Sequence, residues 1–487
     1  MTSLTSPPPS GIAENPIAQE HYGAKTVAVE PGGVEFIPDS ERHGTPRQLL
    51  WTWTSPNLEF ATIAVGILGP VAFGLTFWQT AVAVVLGAGL GSLSHGVLSS
   101  WGPPNGLCQM VLSRAGFGYR GNILPAGLNA VVAGVGWFAV NSVSGALALH
   151  ALFNAIPSWL CLLIIVVAEF TVAAFGHNLV HTFEKMALPL LGVVFVVGAI
   201  IIFGKANLSA PALHPTGSVP GSFIIEAAAA FGYAAGWNPY GADFTRYLPR
   251  TTSRRATGLY AGAGVFVSCV ILQCAGAAMA FAVAKPDVLP GIYTEVLPTW
   301  LGKLTLLCIA VGAVAANALN IYSGAMSALS MGIKLPPHRA RVIVASVFGV
   351  AGFILALNGL NDAGTKFENF LLVIAYWIAP WLGVVFVDRA LRRGQDISNM
   401  VLRTDHRNLA GPIAMVVAGV VSVWLFSNQT EYLAPVPKAH PIVGDLTPLV
   451  GFILAAVIYA VLYKPLAGQP EAATESVDSR DSVGESA

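Results

Sequence analysis

Charge is what this sequence has least of. Of its 487 residues, 25 are Lys or Arg and 25 are Asp or Glu, 10% together, while 54% are hydrophobic. A water-soluble domain carries about a quarter charged residues. This chain therefore cannot cover a hydrated surface of its size, and lipid is the simplest solvent in which its composition is stable. The formal net charge is zero, so nothing suggests nucleic acid as a partner. Cysteine is sparse as well. Cys108, Cys161, Cys269, Cys274 and Cys308 lie in or beside apolar stretches, without disulfide-framework or metal-ligand spacing, and read as small buried thiols. No metal and no cofactor is expected. The first fifty residues lack an apolar run ahead of a small-residue cleavage site, so the first span is expected to act as the targeting signal. Period-two alternation, which a membrane barrel needs, is missing too.

What is present is a series of apolar windows long enough to cross a bilayer, roughly 17–25 residues each. They fall at 55–77, 79–99, 123–152, 158–176, 179–203, 221–245, 256–283, 303–331, 341–357, 370–388, 411–427 and 446–464. The fold class read from them is an all-α polytopic membrane protein with twelve transmembrane helices. Residues 1–50 are polar and rich in Pro and Gly, and residues 467–487 are acidic and rich in Ser. Both read as disordered cytoplasmic tails, since they have too little apolar surface to offset the entropy of ordering. Between them, spans 1–10 occupy residues 51–390 and spans 11–12 occupy 391–466. Basic residues set the orientation. With the N-terminus in the cytoplasm, the inner loops hold Arg114, Arg120, Lys185, Arg250, Arg254, Arg255, Lys334, Arg339 and the arginines from Arg389 to Arg407. The outer loops hold only Lys205, Lys285, Lys303, Lys366 and Lys438. Both termini are thus expected inside a plasma or inner membrane.

Two spans contain helix-breaking residues in mid-membrane. Span one has Gly66, Gly69 and Pro70, and span six has Gly236 and Pro239. Backbone groups freed there must face protein or a polar cavity, because lipid cannot satisfy them. Breaks five spans apart suit spans 1–5 and 6–10 as inverted repeats, with a substrate site between the broken helices. Gly and Pro are also simply common in membrane helices.

Amides and indoles cluster in the same spans. Trp137 and Asn141 are four apart in span three, on one helix face. An indole can stack on a planar heterocycle while the amide reads its edge as donor and acceptor. A lipid-facing Trp and an interhelical Asn bond would explain the pair equally well. Trp237 and Asn238 stand at the span-six break, and Asn317 and Asn320 lie three apart in span eight.

These residues carry a resemblance. Trp53 to Asn57 leading into Gly66 to Pro70, Gly136-Trp137 with Asn141, the run from Asn238 to Pro249 containing Asp-Phe-Thr-Arg-Tyr, and Asn317 to Tyr322 resemble the nucleobase–cation symport-1 family. The likeness is to its purine/cytosine permease branch and covers roughly residues 44–464. It implies a five-plus-five inverted-repeat, LeuT-like core with broken helices 1 and 6, plus two extra C-terminal helices. It also implies a substrate pocket of Trp137, Asn141, Trp237 and Asn320, with Asn317 as neighbour, Tyr233 as rival to Trp237, and Thr62 as a further candidate. Sodium-coupled members resemble one another in a Ser/Thr pair in span eight. Here the equivalent stretch, Ala310 to Ala315, has no hydroxyl, which favours a proton over sodium.

A proton carrier should be an intramembrane ionisable group. Glu169 lies deepest in its span, and a bond to Thr171 or a neighbouring helix is the alternative account of it. Glu59 and Glu226 are expected near helix ends, as solvated carboxylates. Asp243 and Arg246 read as an ion pair anchoring a loop or an inner gate. The function expected is a proton-coupled importer of purine nucleobases or cytosine. Alternatives are a symporter of hydantoin, allantoin, thiamine or pyridoxine, or a sodium-coupled amino-acid-type transporter of the same fold. A channel would need charged rings or a filter loop, and an enzyme a nucleophile–base set or metal ligands; the spans contain none of these.

Overall fold

The computed structural model describes residues 33–174, 177–333 and 337–466, and among them the regular structure is helical. The helical segments that fall on the apolar windows are α1 (Phe60–Val71), α2 (Phe77–Ser99), α3 (Ile123–Leu152), α4 (Ser158–Ala174), α5 (His177–Lys205) and α6 (Val219–Ala235). They continue as α7 (Arg254–Ala280), α8 (Thr299–Ser330), α9 (Pro337–Gly359), α10 (Ala363–Leu391), α11 (Ala410–Phe426) and α12 (Thr447–Leu466). Among the described residues, α2, α3, α7, α8, α10 and α12 are long and apolar enough by themselves to cross a membrane. Shorter apolar helices lie in α1, α4, α5, α9 and α11. On α12, Leu449, Ile453, Val457 and Val461 are all exposed, one turn apart. Such a stripe is a liability in water and fits contact with lipid.

The interruption of span one is not where its glycines and proline suggest. α1 runs through Gly66, Gly69 and Pro70 without a break. The break comes earlier: a short helix, Gln48–Thr54, and a 3-10 turn, Ser55–Asn57, are followed by Leu58 and an extended Glu59 (φ −149°, ψ 173°). Two physical reasons account for the shift. The Glu59 carboxylate caps the new helix start, accepting from the Ala61 and Thr62 N–H groups. The glycines serve close packing instead. A Cβ on Gly66 would stand 1.7 Å from the Gln273 carbonyl oxygen of α7, and one on Gly69 2.4 Å from the Thr80 side chain of α2.

Span six is interrupted at Gly236 and Trp237, which separate α6 from a 3-10 turn, Asn238–Tyr240, and a last short helix, Gly241–Thr245. Pro239 sits within that turn, where its missing N–H costs least. A π-helical turn, Val132–Trp137, interrupts α3 just ahead of its regular second half. Such turns are frequent at functional sites.

α2 packs along α6 and α7, α1 along α7, α8 along α3, and α10 to α12 against one another. The N-terminal segment departs from the expected disorder from Gly33 onward. Ile37 N–H donates to the Gly106 carbonyl at 3.0 Å, Arg42 Nη1 to Pro103 at 2.6 Å, and His43 N–H to Tyr247 at 2.6 Å. Composition averaged over fifty residues hides this, because carbonyls at the ends of the helical bundle satisfy the segment's polar groups. The rest of the two expected tails, 1–32 and 467–487, lies outside the described residues.

Candidate functional site

The two interruptions meet. Trp237 Nε1 of span six donates to Asn57 Oδ1 of span one at 2.9 Å. Tyr233, one turn before Trp237, donates its hydroxyl to Glu59 Oε1 at 3.0 Å and is hydrogen-bonded to Thr62 Oγ1. The two breaks are therefore tied to each other by side-chain hydrogen bonds.

Trp137 lies against this junction. A Cβ on Gly236 would stand 3.1 Å from the Trp137 indole, so the glycine lets the ring approach the backbone of the break. Tyr233 meets the indole edge-on, with centroids 5.3 Å apart and planes at 90°, and Phe370 of α10 meets it at 5.2 Å and 79°. Trp237 is turned the other way, against Trp53 at 5.7 Å and Tyr240 at 5.6 Å. Of the two span-six aromatics weighed from sequence, Tyr233 is the one beside Trp137.

One turn beyond Trp137, the amides join in a single network. Asn141 Nδ2 donates to Asn317 Oδ1 at 3.0 Å, and Asn320 Nδ2 donates to the same oxygen at 3.2 Å. Tyr240 OH donates to Asn320 Oδ1 at 3.1 Å. Asn317 Nδ2 donates to the Phe138 carbonyl at 2.9 Å and to Ser142 Oγ at 3.1 Å. Ser142 in turn donates to Glu169 Oε2 at 2.6 Å. Thr171, the alternative partner, bonds the Val167 carbonyl instead. The chain of bonds thus runs from the span-six break through α8 and α3 to the buried carboxylate of α4. The Oδ1 of Asn141 is buried and has no partner.

Glu59 and Glu226 are both fully buried, not solvated at helix ends. Glu59 is interior because the break moved to it. Glu226 is interior because α6 begins at Val219, which puts the carboxylate two turns inside the helix.

Asp243 and Arg246 are also buried, at the far end of span six. Asp243 Oδ1 accepts from the Gln109 N–H at 2.8 Å. Arg246 donates to the Gly33 carbonyl at 2.9 Å and to the Tyr247 and Tyr322 hydroxyls at 3.2 Å. Together they tie the N-terminal segment, the loop before α3 and the end of α8 to span six.

A cavity of ≈ 300 Å³ opens at the end of the bundle that carries Val288, Pro290 and Lys366, and reaches down to Phe60, Ala61, Gly136 and Phe370. Its floor is the neighbourhood of Trp137. Sequence reasoning missed Ser142, Tyr240 and Phe370. A serine one residue after Asn141 and an aromatic in a helix carry no signal of their own until α4, α8 and α10 are placed around them.

Among the described residues, a helical bundle with two broken helices tied by side-chain hydrogen bonds, a buried amide network beside them and a cavity reaching the neighbourhood of Trp137 is an arrangement that suits a membrane transporter. The family described as permeases for cytosine/purines, uracil, thiamine and allantoin matches residues 36–451. The chain belongs to that family, the purine/cytosine permease branch of nucleobase–cation symport-1. The putative purine-cytosine permease YxlA of Bacillus subtilis is 29% identical over 459 residues, covering 90% of this chain and 96% of the relative. The purine-cytosine permease fcyB of Emericella nidulans is 29% identical over 461 residues, covering 90% and 89%. Among solved structures, Mhp1, a nucleobase-cation-symport-1 family transporter in a closed conformation with bromovinylhydantoin bound, superposes with a TM-score of 0.71. Its identity is 18%, over 91% of this chain and 97% of Mhp1. That likeness establishes the fold.

Proposed function

We propose that this protein imports purine nucleobases or cytosine by alternating access, coupled to a proton. The observation that carries the reading is the unpartnered Oδ1 of Asn141, buried one turn from Trp137. A buried acceptor left empty is costly, and an N–H on the edge of a heterocycle stacked on the indole would fill it. Tyr233 and Phe370 border the same ring, Asn320 and Asn317 hold Asn141 in place, and Thr62 orients Tyr233. Trp237 then acts at the junction of the broken helices instead of on the substrate ring.

The proposed architecture has twelve spans, with α1–α5 and α6–α10 as inverted repeats making a transport core over 51–390 and α11–α12 outside it. The meeting of the two breaks supports this pairing. The distribution of basic residues supports cytoplasmic termini and a plasma or inner membrane. Asp243 and Arg246 then lie at the cytoplasmic end, where their contacts suit an inner gate.

Proton coupling is supported at α8. The face turned to the first break has no hydroxyl from Ala310 to Ala315. A Cβ on Gly312 would stand 2.4 Å from the Leu58 carbonyl oxygen, so the helices are close-packed there. Glu169 is the coupling candidate, because Ser142 and Asn317 join it to the amide that reads the substrate.

The test is uptake of radiolabelled cytosine and hypoxanthine into cells lacking their own permeases, with and without a protonophore, at two pH values. Saturable, protonophore-sensitive uptake that rises at acid pH is expected. A protein present in the membrane that takes up neither would move the reading to another heterocycle, the class to which the hydantoin held by Mhp1 belongs.

A further inference from the structure

Glu59 has chemistry that the substrate site does not use. Its carboxylate is fully buried, and it sits where the two broken helices meet. One oxygen accepts from the Ala61 N–H at 2.7 Å, and the other from the Thr62 N–H at 3.2 Å and the Tyr233 hydroxyl at 3.0 Å. The titratable groups that face it are Tyr233 from α6, Cys269 from α7 and Tyr293 from the short helix Tyr293–Val296 ahead of α8. α8 itself presents Gly312 to it. Among the described residues, no Lys, Arg or His acts on it. A buried carboxylate without a counter-cation is expensive within a membrane and is a functional site by default.

We propose that Glu59 is a proton-binding site whose occupancy latches and unlatches the two broken helices. The inference rests on the transport reading above and adds the site at which a proton acts on the helix junction. The hydrogen bonds around Glu59 can serve both protonation states. In the ionised state three donors point at the carboxylate, two of them from the start of α1, where the helix dipole favours negative charge. Tyr233 spends its only proton on Glu59, and this charge-assisted bond ties α6 to α1.

When one proton is added, the carboxyl becomes a donor and bonds the Tyr233 oxygen. The Tyr233 O–H turns to Thr62 Oγ1, and Thr62, whose proton lies toward the Tyr233 oxygen in the ionised state, turns it to the Asn57 carbonyl, 2.6 Å away. One proton enters, one O–H bond forms on Glu59, and no other covalent bond changes. The charge-assisted tie has become a neutral one, so the junction is easier to open. The proton enters from the side of the cavity whose wall includes Phe60, Ala61 and Ala64, on the first turns of α1 after Glu59. The substrate seat senses the change because the same Tyr233 ring rests on Trp137.

The full chain is reconstituted in proteoliposomes as wild type, Glu59→Gln and Tyr233→Phe. Two readouts separate coupling from transport: accumulation of radiolabelled cytosine or hypoxanthine driven by a pH gradient, and counterflow exchange without a gradient. Glu59→Gln should still show saturable counterflow, while its gradient-driven accumulation falls to a ratio of about one and its rate becomes flat between about pH 5 and 8. Tyr233→Phe should move the midpoint of the uptake pH profile upward by about half a unit to one unit, the size of one lost bond to the charged carboxylate.

Glu59→Gln accumulating like wild type would overturn the proposal. If that variant does not reach the folded state, Tyr233→Phe with a wild-type profile overturns it instead. Wild-type uptake that needs sodium, lost in Glu59→Gln, would also overturn it and assign the carboxylate to a metal cation. Wild type that exchanges neither nucleobase would sink the transport reading itself, and this inference with it.

Discussion

Asn141 of α3 donates to Oδ1 of Asn317 of α8 at 3.0 Å, and the bond leaves the Asn141 carbonyl oxygen buried and empty. The amide is held by one end and offered by the other. Asn317 is fixed in turn by Asn320 and by the Phe138 carbonyl, so Asn141 has little freedom to turn away. A site built this way recognises a donor on its ligand by the cost of leaving the acceptor unfilled.

Asn141→Ala removes that acceptor and one of the two donors to Asn317. Saturable uptake should be lost, or its KM raised at least about tenfold, equivalent to ~1.4 kcal/mol. The amount of folded protein in the membrane should match wild type. Uptake kinetics beside fluorescence-detected gel filtration read both quantities, and an unchanged KM would remove Asn141 from the site.

Glu169→Gln keeps an acceptor for the Ser142 hydroxyl but cannot exchange a proton. Its uptake should lose the rise at acid pH while remaining saturable. Ser142→Ala cuts the link between the carboxylate and Asn317 and should weaken the pH dependence in the same direction. Rates measured between about pH 5 and 8, the range over which a tuned carboxyl can work, decide the point. A profile identical to wild type in both variants would eliminate Glu169 as carrier.

Gly66→Val tests the role of Gly66 in packing. Its side chain would collide with the Gln273 carbonyl of α7, and overpacking of this kind costs about 1–3 kcal/mol. Lower folded yield and an earlier thermal transition in detergent are expected. A variant as stable as wild type would show that α1 and α7 separate without penalty.

Away from the site, Asp388 of α10 accepts from Arg392 Nε at 2.8 Å and from the Tyr459 hydroxyl of α12 at 2.5 Å. Asn408, just before α11, donates to the same Tyr459 oxygen at 2.9 Å. Asp388→Ala would strand a buried guanidinium, for which about 3–5 kcal/mol is typical. The thermal midpoint should fall, and by less in Asp388→Asn, which keeps an acceptor. Equal midpoints for all three proteins would count against this cluster as the clamp on α11 and α12.

The sequence by itself determined the solvent and the inventory. A chain with 10% charge and a succession of apolar windows has to be a helical bundle in lipid, because backbone polar groups there must be satisfied within each helix. Helical spacing was enough to put Trp137 and Asn141 on one face, since that relation is local. Which groups these residues meet is not local, and only the tertiary structure decided it. Gly66 and Gly69 looked like part of a break and are packing residues, because a glycine's role depends on the helix pressed against it. Tyr233, not Trp237, faces Trp137, because the turn at Gly236 sets where each ring points. Glu59 became the centre of the junction when a carboxylate able to cap α1 drew the interruption to itself. Ser142 acquired a role only through Asn317 and Glu169, from two other helices, and a contact between distant helices leaves no periodic trace in a single chain.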